Sequence, residues 1–152
     1  MDEERRTAGE GHGDGDGESA YELLQRGQQL LDGRHHAQAA IVLERADRLE
    51  PGRQSILEAL GRAYFNSGQH ERARLTFEQL LELDPSAHYA HFALGQSLKK
   101  LGRPEAAGTH LRLAVAMDPR SALYRGALER LGPAARPPRA APGPDPTDPP
   151  ED

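Results

Sequence analysis

The chain has 152 residues, of which 36 % are hydrophobic, and carries a formal charge of −5. It has no cysteine, which excludes a disulfide framework and a thiolate metal site, and no run approaches the roughly 18 apolar residues that a membrane helix needs. Residues 19–132 hold fifteen basic and thirteen acidic side chains, so this part is near neutral and nothing in it points to strong phosphate or nucleic-acid binding.

Residues 1–18 hold two basic and seven acidic residues among alternating glycines. Such a segment buries almost nothing against the entropy of ordering it, so it is expected to be disordered. Its start, Met1-Asp2-Glu3-Glu4-Arg5-Arg6, has no apolar stretch of the kind a secretory signal needs, and a cytoplasmic location is expected. Asp14-Gly15-Asp16-Gly17-Glu18 has a calcium-loop flavour, but the twelfth position counted from Asp14 is Gln25, where that loop needs a bidentate Glu.

Helical periodicity then runs from residue 20 onward. Helices are expected near 20–32, 36–49, 54–67, 70–83, 87–101, 104–117 and 121–131. Ser19…Glu22 and Ser55…Glu58 read as capping boxes, Ser86 as a cap, and Pro104 as a first-turn proline. In the second pair Leu57, Leu60 and Tyr64 line the first helix, and Leu75, Phe77, Leu80 and Leu81 the second. Residues 133–152 contain eight prolines, which remove amide donors and block helix, so this tail is read as extended and disordered.

The same step recurs along the helical part. Pro51, Pro85 and Pro119 are 34 residues apart, as are Gly27, Gly61 and Gly95, then Ala39, Ala73 and Ala107, then Leu43, Phe77 and Leu111. Small residues on one helix let its partner approach, the bulky column fills the space between them, and proline ends each unit. Gly68 and Gly102 mark the turn inside the second and third units. Gly33 lies one place early, so a remodelled turn is expected in the first.

These columns resemble the tetratricopeptide repeat, most clearly in Leu57…Leu60-Gly61…Tyr64…Gly68…Ala73…Phe77…Leu80…Pro85, and a small bacterial type of the family is expected; the many Arg against two Lys, with abundant Ala, Gly and Pro, look like a G+C-rich genome. The resemblance implies an all-α fold: an α-solenoid of three helix-turn-helix repeats (about 20–53, 54–87 and 88–121) plus a C-terminal capping helix at 121–132, which hides the open face of the last unit. It also implies a non-catalytic scaffold or adaptor that holds a protein or peptide in a groove lined by the first helices of each repeat. The matching groove positions are Tyr21, Leu24, Gln28 and Leu31; Ser55, Glu58, Arg62, Phe65 and Asn66; and Tyr89, Phe92, Gln96, Lys99 and Lys100. The family's clamp for the C-terminal carboxylate of chaperones needs Lys and Asn, then Asn, then Lys and Arg where this chain has Leu24 and Gln28, Ala59, and Tyr89 and Ala93, none of which supplies a charge. The expected contact is therefore apolar and aromatic, with Arg62, Lys99 and Lys100 attracting an acidic segment.

Chemistry is otherwise sparse. His88 and His91, three apart, have the spacing of a shared metal site but no third ligand; His35, His36 and His70 fall at turns, and His110 is read as exposed. No phosphate loop, nucleophile elbow or catalytic carboxylate pair is present, so no enzyme activity, cofactor or metal is expected, and no nucleic acid or membrane insertion. The competing reading is a self-associating structural module or a co-chaperone-like assembly factor.

Overall fold

The computed structural model describes residues 17–135. The expectations of disorder for the acidic N-terminus and the Pro-rich tail fall on residues that lie almost wholly outside that range. Seven α-helices follow in order: α1 (Ala20–Asp32), α2 (His36–Leu49), α3 (Gln54–Asn66), α4 (His70–Leu83), α5 (His88–Lys100), α6 (Pro104–Met117) and α7 (Ala122–Leu131), then a 3-10 turn over Gly132–Ala135. No strand occurs among the described residues.

Each helix packs on the next in sequence, and the odd-numbered helices also meet one another, α1 with α3 and α3 with α5. The odd helices therefore share one side of the stack. Within each repeat a glycine on the odd helix receives the bulky side chain of the even one. A β-carbon on Gly27 would lie 2.5 Å from Leu43, one on Gly61 2.6 Å from Phe77, and one on Gly95 2.8 Å from Leu111. All three partners are buried to 1 % exposure or less, a depth at which each such side chain contributes roughly 1.5–3 kcal/mol.

The turns inside the repeats share one hydrogen-bond pattern, the Schellman closure that satisfies the last carbonyls of a helix. Gln69 N donates to Tyr64 O and Gly68 N to Phe65 O; Arg103 N donates to Leu98 O and Gly102 N to Lys99 O. The first turn is not remodelled. His35 N donates to Leu30 O and Arg34 N to Leu31 O, and Arg34 takes the left-handed position (φ 62°) that Gly68 (82°) and Gly102 (74°) fill in the other units.

Helix starts obey the repeat register more closely than the local sequence. The residues just before α1, α3, α5 and α7 are Ser19, Arg53, Ala87 and Ser121, one column at a 34-residue step. Ser19 Oγ accepts from Glu22 N, and Ser121 Oγ accepts from Tyr124 N. Ser55 is not a cap, because α3 begins one residue before it. Ser86 is not one either: its amide and hydroxyl both donate to Asp84 Oδ1. Before each proline the chain leaves the helical region, with ψ of 81° at Glu50, 89° at Asp84 and 80° at Asp118.

Several apolar side chains face outward instead of into the stack, among them Leu75, which was expected to line the second helix of its pair. Leu75 is 53 % exposed and Leu123 is 55 % exposed. The terminal helix covers the third repeat through Tyr124 and Ala127, which are buried with Phe92, Leu111 and Ala114.

Candidate functional site

On the side shared by the odd helices, α3 and α5 diverge around a cleft of about 180 Å³. Arg62, Phe65 and Asn66 come from the last turns of α3. Tyr89, Phe92, Ala93 and Gln96 come from α5, and the ring of Phe77 reaches through from α4. The site exists because of the glycine notch: with no side chain at Gly61, Phe77 enters the space between the odd helices and forms part of the cleft.

The rings continue one another. Phe77 meets Tyr89 edge to face at 6.4 Å, Tyr89 meets Phe92 at 6.1 Å, and Phe92 stacks on Tyr124 of α7 at 5.1 Å. Phe65 packs edge-on against His70 at 5.1 Å. Burial raises the Tyr89 phenol above its ordinary value, and the nearby Arg62 cation draws it partly back. Arg62 is exposed and makes no ion pair with another described residue. The mouth of the cleft thus offers a cation that no other described residue pairs with, beside aromatic surface, with the amides of Asn66 and Gln96 as polar handles.

Of the positions singled out in the sequence, Arg62, Phe65, Asn66, Tyr89, Phe92 and Gln96 come together here. Tyr21, Gln28, Ser55, Glu58, Lys99 and Lys100 are exposed but do not line the cleft, and Leu24 and Leu31 are buried in the core. Phe92, expected on an open contact surface, is only 9 % exposed, because its ring is covered by Tyr124. Phe77, read in the sequence as a filler between paired helices, and Ala93, named there only as a clamp position without a charge, also line the cleft; the pairing of the Gly61 and Phe77 columns is the signal that reveals Phe77.

His88 and His91 do not converge. His88 Nδ1 pairs with the Tyr124 hydroxyl at 2.7 Å, whereas His91 bonds to His110 and to Pro85 O. His110, expected in solvent, is half-buried against His91.

A series of paired helices, closed by a terminal helix and lined on one side by its odd members, defines an α-solenoid. The family model of the tetratricopeptide repeat matches residues 58–122. None of the curated proteins compared with it matches the sequence. Among solved structures, the chain is similar to the Arabidopsis OM64 TPR domain, with 17 % identity, a TM-score of 0.71, and 74 % of this chain and 93 % of that one covered. It is also similar to the first TPR of Spaghetti (RPAP3) bound to the HSP90 peptide SRMEEVD, with 16 % identity, a TM-score of 0.70, and coverage of 74 % and 89 %. A third likeness is to YrrB, a TPR protein with an unusual peptide-binding site, at 22 % identity, a TM-score of 0.71, and coverage of 74 % and 58 %. At these identities the likeness is one of fold. Residues 58–122 thus match the tetratricopeptide repeat, and the described fold is that of tetratricopeptide-repeat domains. No helix among the described residues is long and apolar enough to cross a membrane.

Proposed function

We propose that this chain is a non-catalytic scaffold that binds a peptide or a partner protein in the cleft between α3 and α5. The observation that carries this reading is the open aromatic cleft with Arg62, unpaired among the described residues, at its mouth. Aromatic side chains and Arg are the residue types that dominate binding energy when a partner seats on them. Two of the solved structures of this fold are named for peptide binding, which supports the same use here. The partner segment favoured by these residues carries one large apolar or aromatic side chain for the cleft and a carboxylate for Arg62.

The described residues supply no cation at Leu24, Gln28, Ala59, Tyr89 or Ala93, so a segment internal to the partner fits better than a free C-terminal carboxylate. Selection of displayed peptides on the full chain is expected to enrich an apolar residue flanked by Asp or Glu. Tyr89→Ala and Arg62→Glu are each expected to weaken the selected peptide about tenfold or more, the loss of one anchor of about 1.4 kcal/mol. Helicity should be unchanged. Equal affinity in both variants refutes the cleft as the binding site. Phe92→Ala is a poorer probe, since Phe92 also anchors α7.

A further inference from the structure

A second cavity, of about 370 Å³, opens away from the aromatic cleft and is lined by Glu78, Glu82, Pro85, His91 and His110, among others. Its chemistry follows from three atoms. His91 Nε2 lies 3.0 Å from the carbonyl oxygen of Pro85. A carbonyl only accepts, so Nε2 carries the proton and Nδ1 of neutral His91 is a bare acceptor. His110 Nδ1 stands 3.1 Å from that acceptor and must therefore be the donor.

The ring planes are within 22° of each other, with centroids 5.4 Å apart. The nitrogens are thus much closer than the ring centres, and the two imidazoles meet edge to edge through one N–H···N bond. No group of three His, Cys, Asp or Glu among the described residues is placed to hold a metal ion.

We infer that His91 and His110 form a proton-sensitive latch, which ties α5 and α6 of the third repeat to the Pro85 turn that ends the second and which opens on acidification. The first added proton goes to His110 Nε2 and leaves the N–H···N bond in place. A second has only His91 Nδ1 to occupy, and there it sets two N–H groups against each other and forces the rings apart. The charged neighbours do little to ease this. On α4, Glu78 is bonded to Arg74, which leaves Glu82 as the other carboxylate of the cavity; the two imidazoles are the only titratable groups that α5 and α6 bring to its lining.

Burial, then the neighbouring His91, hold His110 below the usual imidazole value, against a weaker upward pull from Glu78. A native state that takes up protons less readily than the unfolded chain loses stability as pH falls through about 6.5, the unfolded imidazole value, and keeps it above. The latch does not depend on what the aromatic cleft binds. Where that reading also holds, acid loosens α5, the helix that carries Tyr89, and so weakens capture.

Imidazole 1H–15N correlation spectra of the full chain from pH 8 to 5 test this without a ligand. At pH 8 His91 is expected as the Nε2–H tautomer and His110 as Nδ1–H, with His110 titrating below the ordinary range. In His91→Gln the His110 titration is expected to move upward, and the fall in Tm between pH 6.5 and 5 to become shallower than in the unaltered chain. Opposite tautomers, or titration of His110 at the ordinary value, overturn the proposal from the unaltered chain alone. An unchanged His110 titration in His91→Gln overturns it as well.

Discussion

Phe77 seats its ring in the notch that Gly61 leaves open on the facing helix, where a β-carbon would stand 2.6 Å from the ring's Cζ. The ring is 1 % exposed and has no room to retreat without disturbing Tyr89. Gly61→Ala is therefore expected to destabilise the domain by about 1–3 kcal/mol through overpacking. That outcome opposes the gain of up to about 1 kcal/mol that Ala brings to a helix interior. Urea unfolding of the two proteins checks it, and a neutral or stabilising result contradicts the notch.

Arg34 offers the opposite case. It closes α1 in the left-handed conformation, with φ of 62°, where glycine serves the same turn in the next two repeats. Arg34→Gly relieves a strain of roughly 1 kcal/mol, and a rise of that order in unfolding free energy is expected. Gly68→Ala at the matching position is expected to lose a similar amount, although a β-carbon there meets nothing within 4 Å. Paired thermal melts separate backbone strain from packing.

The terminal helix is held by one side chain above all. Tyr124 is 5 % exposed, stacks on Phe92 and takes His88 as a hydrogen-bond partner. Tyr124→Ala is expected to cost about 3–5 kcal/mol, as for other large buried rings. Hydrogen exchange over residues 122–131 should then approach that of a frayed helix. Leu123→Ala, one residue away but half-exposed, should change stability by less than about 0.5 kcal/mol.

Tyr64 links repeats one and two. Its hydroxyl donates to Glu44 Oε1 at 2.7 Å. Burial, then this bond to a carboxylate, pushes the phenol well above its ordinary value. Stability from this group is fully present below pH 10, the unfolded phenol value, and falls as pH rises past it. Denaturation followed between pH 8 and 11 is expected to show a decline that is shallower in Tyr64→Phe. At neutral pH that variant loses about 1–2 kcal/mol, with Glu44 left short of a donor.

The 34-residue step made the solenoid legible, because three independent columns, proline, glycine and bulky residue, all keep it. Helix ends followed to within a residue, since the proline corners fix them. What stayed hidden depends on backbone torsion or on through-space competition. Arg34 gives no sign in sequence that it adopts a glycine's conformation. Ser86 looks like a cap until Asp84 claims both its donors. Part of the cleft was readable, because Arg62, Phe65 and Tyr89 fall on a helix face. Its Phe77 component was not, since that ring arrives from the neighbouring helix through the space above Gly61. His91 and His110 are nineteen residues apart, and only the packing of α5 on α6 brings them together.

The run of rings from Phe77 through Tyr89 and Phe92 to Tyr124 joins the second unit, the third unit and the cap in a continuous aromatic spine. On the proposed reading, a guest that presses on Tyr89 leans on the whole spine, and occupancy at the middle of the molecule and order at its far end are expected to rise and fall together.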